Sequence, residues 1–259
     1  MTTTADSTLA PASPPPTGDY RLSNPLPFMS LPSDIGRLFS LMNPAFVAGQ
    51  GLAVQFIGAQ SGEGVSTIAR DFALTAAQHV DGPVLLLDFD WGHDSHFEHF
   101  QRLLKQQGKP FDGETTLSLP IDLSPLVGLS GPHAAASPLT FHGLPELGLI
   151  LGRTAPGLRA LPNQTPSILN RPDIWKALRH HFMVIVVDSP PSSQSFDGIV
   201  LSAAMDAVVL VVRAEFTRAP VVEDLRDRLI AQGAPLAGLV LNQRRFYIPK
   251  MIYRLLDRL

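Results

Sequence analysis

No cysteine occurs in the sequence. That absence excludes a disulfide scaffold, a thiolate metal site and a cysteine nucleophile, and it suits a reducing compartment. Tyrosine is nearly as scarce: Tyr20, Tyr247 and Tyr253 are the full complement in 259 residues. Charge is thin too. Charged residues make up 17% of the chain and the formal net charge is −3, so a general nucleic-acid partner is not expected. No apolar run, Phe182–Val187 among the longest, approaches the roughly 18–20 residues needed to cross a bilayer. The N-terminus has no basic stretch leading into an apolar one, so no secretory signal is expected. These absences together predict a cytoplasmic protein.

Apolar residues, at 45%, and 24 prolines are what the chain has in quantity. Seven of the prolines fall in residues 1–32 among Ser, Thr and Ala. That composition cannot bury enough apolar surface to offset ordering entropy, so 1–32 reads as a disordered arm. Residues 33–259 read as one domain. Ser33 and Asp34 are N-cap candidates, and Ile35, Leu38, Phe39 and Leu41 follow at helical spacing. Strands are expected over Leu52–Gly58, Val84–Leu87, Leu147–Leu151, Val184–Val187, Val208–Val212 and Ala237–Leu241. Helices are expected over Ser66–His79, Ser95–Gln107, Arg171–His180, Pro220–Gln232 and Pro249–Leu259, whereas 108–145 shows no firm element. Buried β-branched strands alternating with helices predict an α/β fold, a doubly wound and mainly parallel sheet flanked by helices.

Between the first strand and its helix lies Gly58-Ala59-Gln60-Ser61-Gly62-Glu63-Gly64-Val65-Ser66-Thr67. A glycine-rich turn entering a helix N-terminus is the setting of a phosphate cradle, because backbone N–H groups and the helix dipole favour an anion there. The usual pattern is G-x-x-x-x-G-K-[ST]. Here Ala59 takes the first glycine position and Val65 the lysine position, while Ser66 and Thr67 keep the hydroxyls. A charge-assisted hydrogen bond is worth roughly 1.5–3 kcal/mol, and valine supplies none. Arg70 and Arg213 are the cations considered for the vacated role.

The second strand ends in Asp88-Phe89-Asp90 and a later one in Asp188-Ser189-Pro190-Pro191. Carboxylates at the C-terminal ends of parallel strands face the crevice where such sheets bind ligands. Asp88, Asp90 and Asp188 are therefore the candidate catalytic groups, with Ser66, Asp88 and Asp188 the candidate Mg²⁺ ligands. His93, His96 and His99 recur three apart, with Asp94 and Glu98 between them. That spacing suits metal ligation, but a solvated loop and helix start accounts for it and is the expectation adopted.

GAQSGEGVST, VLLLDFDWG and VIVVDSPP together resemble the Walker A, A′ and B motifs of bacterial tyrosine kinases that regulate capsule and exopolysaccharide synthesis. Those kinases form a branch of the deviant-Walker group that includes the MinD and ParA ATPases. The likeness extends over about residues 33–247. It takes in Gly152, Pro156, Asn163, Pro166 and Leu169, then Ala207–Arg213 with Thr217, and Gly238–Asn242. Asp34-Ile35-Gly36-Arg37 partly matches the family's oligomerisation helix, with Ser40 in place of its second arginine.

The resemblance implies a P-loop NTPase-like domain binding ATP or ADP with Mg²⁺ through Gly62, Glu63, Gly64, Val65, Ser66 and Thr67, with Asn242 on adenine. It implies a homo- or hetero-oligomer working beside a membrane polysaccharide copolymerase or synthase subunit at the inner face of the cell membrane. Val65 and the scarcity of tyrosine depart from the family pattern and favour a pseudo-kinase. The alternatives are an active ATPase or autophosphorylating tyrosine kinase, and a MinD/ParA-like positioning ATPase for a polysaccharide synthase such as that of cellulose. Residues 249–259 put Met251, Ile252, Leu255, Leu256 and Leu259 on one helical face and Lys250, Arg254 and Arg258 mostly opposite. Packing on the sheet or on a neighbouring subunit is expected of that helix, with peripheral membrane contact as its alternative.

Overall fold

The computed structural model describes residues 33–42, 51–89, 95–109, 116–117, 139–154 and 172–244. The arm 1–32, Asp90, His93, Pro156–Leu169, Tyr247, Tyr253 and the segment 249–259 lie outside the described residues.

Among the described residues are six α-helices and eight strands, which alternate except where β3, β4 and β5 follow one another. They run α1 (Ser33–Met42), β1 (Leu52–Gly58), α2 (Val65–His79), β2 (Val84–Asp88), α3 (Ser95–Gln106), β3 (Thr116–Leu117), β4 (Leu139–Leu144), β5 (Leu149–Thr154), α4 (Pro172–His181), β6 (Val184–Asp188), α5 (Asp197–Leu201), β7 (Ala207–Arg213), α6 (Ala219–Ala231) and β8 (Leu236–Asn242). The strands form one sheet in the order β3-β4-β5-β2-β6-β1-β7-β8. From β5 to β8 every pairing is parallel, while β4 joins β5, and β3 joins β4, in antiparallel register. The doubly wound, mainly parallel sheet expected from the sequence is therefore present.

Side chains alternate across each strand and define two apolar layers. Val54, Phe56, Val84, Leu86, Val184 and Val186 face α1, α2 and α3. Ile57, Leu85, Leu87, Ile185 and Val187 face α4, α5 and α6. Both faces of the central strands are covered, which explains why β1, β2 and β6 are buried along their whole length. On the first face Phe72 of α2 sits between Phe39 and Phe56, at ring-centroid distances of 5.8 and 5.2 Å.

Three differences from the sequence reading have physical causes. The stretch 108–145 does contain strands, because β3 and β4 extend the sheet beyond β5. The β4 sequence LTFHGL carries no clean alternation of its own, so its strand character comes from six residues of pairing with β5. The expected strand at Leu147–Leu151 instead starts at Leu149, because Gly148 adopts φ 62° and ends a short 3₁₀ turn over Pro145–Leu147. Helix α5, for which the sequence shows no periodic signal, is anchored from within: the Gln55 amide on β1 donates to the Gly198 carbonyl at 2.7 Å.

The packing of Phe72 yields a direct expectation. Phe72→Ala removes a fully buried ring between two others and should lower unfolding stability by about 3–5 kcal/mol. In denaturant titrations the midpoint should fall while the slope stays constant.

Candidate functional site

The loop between β1 and α2 is built on two left-handed glycines, Gly62 at φ 81° and Gly64 at φ 87°. Such backbone suits glycine because a Cβ clashes there. Helix α2 starts at Val65 with no side-chain cap on its first turn, so its leading N–H groups have neither helical acceptors nor a capping oxygen. From behind, the loop is braced by Glu63, whose carboxylate is buried. One Glu63 oxygen accepts the Gln60 N–H at 2.9 Å and the other accepts the Thr217 hydroxyl. Gly58 makes this possible, since a Cβ there would lie 2.4 Å from Glu63 Oε2.

Neighbouring segments hold the loop's carbonyls. Asn242 Nδ2 donates to the Glu63 carbonyl at 2.8 Å, and Gln243 Nε2 donates to that of Gly62 at 3.0 Å. Ser192 and Ser193, just past β6, donate their N–H groups to Gly58 and Ala59 at 3.0 Å each. With its carbonyls tied outward, the loop is a fixed frame for its N–H groups.

Val65 does not occupy the mouth of this frame. It is only 8% exposed and belongs to the apolar layer beneath α2. Nor do the two nearby arginines take the lysine's place. Arg213 stacks over Phe216 with its guanidinium 4.6 Å from the ring. Arg70 NH1 lies 3.2 Å from His96 Nδ1.

Beside the loop, Asp88 and Asp188 are register partners at the ends of β2 and β6. Each continues the alternation that faces α2 and α3, and they are 6% and 1% exposed. From α3, His96 reaches toward them, fully buried, with Nε2 2.9 Å from Asp188 Oδ2. An arginine can only donate, so His96 Nδ1 accepts from Arg70 and the ring proton on Nε2 is given to Asp188. Asp188 Oδ1 is buried with no hydrogen-bond partner among the described residues. Ser95 Oγ approaches Asp88 Oδ2 at 3.5 Å.

Burial is the largest influence on Arg70 and lowers its pKa, against the attraction of Asp71, Asp188 and Asp88. Burial likewise raises the Asp71 pKa, with Arg70 opposing. His99, one turn along α3 from His96, is pushed down to about 4 by burial first and then by the neighbouring Arg70, His96 and Arg102.

The structure thus gathers Gly62–Thr67, Asn242, Asp88 and Asp188 at the C-terminal edge of the sheet, and Asp90 lies outside the described residues. The expectation of a solvated histidine run does not hold for His96, which the apolar layer draws in. The signal lay in the spacing: His96, Phe100 and Leu104 recur every four residues and form the buried stripe of α3. Glu63 and Thr217 bear on the loop through a mutual contact that no sequence pattern reveals.

This frame and its paired strand-end acids define the P-loop NTPase-like class of fold. No protein-family model matches the chain. A stretch of 90 residues is 27% identical to tyrosine-protein kinase CpsD of Streptococcus agalactiae, spanning 34% of this chain and 39% of that protein's length. In fold, the chain is similar to the kinase domain of Escherichia coli tyrosine kinase ETK, with TM-score 0.58 and 16% identity over 86% of this chain and 84% of the other. The kinase domain of VpsO gives 0.55 and 22% identity over 82% and 94%. The cell-division ATPase MinD of Pyrococcus furiosus gives 0.52 and 15% identity over 80% of each. The chain therefore has a bacterial tyrosine-kinase-like, MinD/ParA-like fold.

Two expectations follow from the site. Gly62→Ala places a Cβ in open space at a strained φ and should cost about 1 kcal/mol. Gly64→Ala meets Asn242 Nδ2 at 2.1 Å in addition and should cost more, with Asn242→Ala in the same chain recovering the difference in a double-mutant cycle.

The second concerns pH. A histidine with a folded pKa near 4 against 6.5 binds fewer protons folded than unfolded in that window, so stability falls as pH drops from 6.5 toward 4. His99→Gln should make the thermal midpoint less steeply dependent on pH there, and equal slopes would refute this assignment.

Proposed function

We propose that the chain is a pseudo-kinase, a P-loop regulatory protein of bacterial exopolysaccharide biosynthesis or export. In this reading it binds nucleotide weakly or not at all. It acts in the cytoplasm, at the inner face of the membrane, through a polysaccharide copolymerase or synthase subunit. No helix among the described residues is long and apolar enough to cross a membrane.

The observation that carries the reading is Val65. At the position where phosphoryl transfer calls for a cation, the side chain is apolar and buried in the core. Catalysis of that transfer is mostly positioning and charge stabilisation, and both candidate arginines are engaged elsewhere.

The remaining parts fit a nucleotide better. The left-handed glycines and the uncapped start of α2 suit a phosphate group. The unpartnered Asp188 Oδ1, with Asp88 and Ser66, suits a Mg²⁺ ion. When bound, ATP with Mg²⁺ supplies a transferable phosphoryl group. The chain's own contribution is then to cradle phosphates by backbone at 62–67 and to orient the ion through Asp88 and Asp188. Asn242 remains the proposed neighbour of adenine. The survival of both acids is also what favours the second reading, an active ATPase or tyrosine kinase.

Titration of the purified chain with ATP and Mg²⁺ by calorimetry, with phosphate release followed in parallel, separates the two. Binding in the millimolar range or none, without turnover, is expected. Val65→Lys should tighten binding roughly tenfold or more, the worth of one charge-assisted contact. Turnover in the parent chain that Asp88→Ala abolishes, or phosphotyrosine on Tyr247 or Tyr253 lost with the same substitution, would overturn the pseudo-kinase reading.

A further inference from the structure

Among the described residues, Asp88, His96 and Asp188 bring ligand-type atoms within 4.8 Å of one another, and all three residues are buried. We propose that these three side chains form a binding site for a first-row transition-metal dication of the Zn²⁺ type, which binds in the absence of nucleotide. This goes beyond the nucleotide reading and does not rest on it.

Three observations carry the proposal. The first is the donor set. Two carboxylates alone suit Mg²⁺, whereas an imidazole added to them shifts preference toward Zn²⁺, Co²⁺ and related ions. The second is distance. Ligand atoms sharing an ion at about 2.0–2.2 Å lie about 3–4 Å apart, so the cluster needs only a small closure. The third is Asp188 Oδ1, buried and without a hydrogen-bond partner among the described residues. A buried acceptor left unpaired is costly, and a cation seated between the strand ends relieves that cost. The ion's two charges also balance those of the two carboxylates.

Arg70 sets the condition for binding. Its NH1 stands against His96 Nδ1, so the ring proton lies on Nε2, against Asp188. Coordination through Nε2 moves that proton to Nδ1, leaving the imidazole neutral and releasing no net proton from it. The new N–H then faces an arginine that can only donate. Arg70 must turn away, and the ion and the arginine are mutually exclusive partners of the same imidazole and acid pair.

Co²⁺, a spectroscopic stand-in for Zn²⁺, tests this in nucleotide-free full-length protein. Titration should saturate at one equivalent with a visible absorption band, and Zn²⁺ should displace it where a large excess of Mg²⁺ does not. His96→Gln keeps a donor for Asp188 and an acceptor for Arg70 while removing the metal-binding nitrogen, and should weaken Co²⁺ binding at least tenfold. Arg70→Met should tighten it. The chain has eight histidines, so a band that His96→Gln leaves unchanged means the ion sits elsewhere and overturns the proposal. Absence of one-equivalent binding overturns it equally. If His96→Gln does not fold, Arg70→Met decides, and an affinity no tighter than the parent's refutes the site. Calorimetry with ATP reports separately on the pseudo-kinase reading, so either can fail without the other.

Discussion

Two carboxylates placed side by side inside the protein are the constraint around which the site is organised. Asp88 and Asp188 sit in register at adjacent strand ends, nearly out of contact with water. Like charges so placed repel and are deprived of hydration, and the surroundings must offset both effects. The helices covering that face supply the offset. Arg70 comes from α2 and His96 from α3, and the imidazole transmits the arginine's donor character to Asp188 through its two nitrogens. The same geometry explains why α3 packs with a histidine in its apolar stripe. A leucine at 96 would fill the volume but leave Asp188 Oδ2 without a donor.

The loop follows a complementary rule. A phosphate-type cradle exposes N–H groups on its concave side, so something must hold its carbonyls and its back. Glu63 does the latter with one buried carboxylate that spans Gln60 and Thr217. Asn242 and Gln243, at the end of β8, take the carbonyls of Glu63 and Gly62. These partners are separated by some 150 to 180 positions in sequence, so the loop's shape depends on β7 and β8 closing the sheet beside β1. Local glycine content permits the turn, but distant strands fix it.

What was legible in the sequence divides along the same line. Runs such as Val184–Asp188 and Ala207–Arg213 are strands covered on both faces, and their β-branched continuity announces it. The strand-end acids and the glycine turn were legible because both depend on residues close in the chain. The antiparallel extension was not, since LTFHGL becomes a strand only by pairing with β5. Nor was the burial of His96, because a polar residue in an apolar stripe is read as solvent-facing until its partners are known. Arg70 and Asp188 are those partners, and each comes from a different element. The role of Glu63 was hidden for a related reason: in a turn, an acidic residue ordinarily points outward.

The replacement at 65 and the network at 70 belong to one electrostatic arrangement. A lysine at the start of α2 would place its charge at the mouth of the loop, where an incoming phosphate meets it. In this chain the valine at 65 packs into the core, and the cation on α2 stands at Arg70, one turn beyond Ser66 and on the same side of the helix. There it serves the acids through His96 and not the mouth. Among the described residues, an anion approaching the loop therefore meets backbone dipoles without a side-chain cation from position 65 or 70, while the acid pair already has an internal counter-charge. A cation approaching the acids finds instead an acceptor atom without a partner and an imidazole that needs only to exchange its proton between nitrogens. On the proposed metal reading the two cations compete for one imidazole and acid pair, so where α2 carries its positive charge sets the cost of seating an ion there: Arg70 has to turn away first.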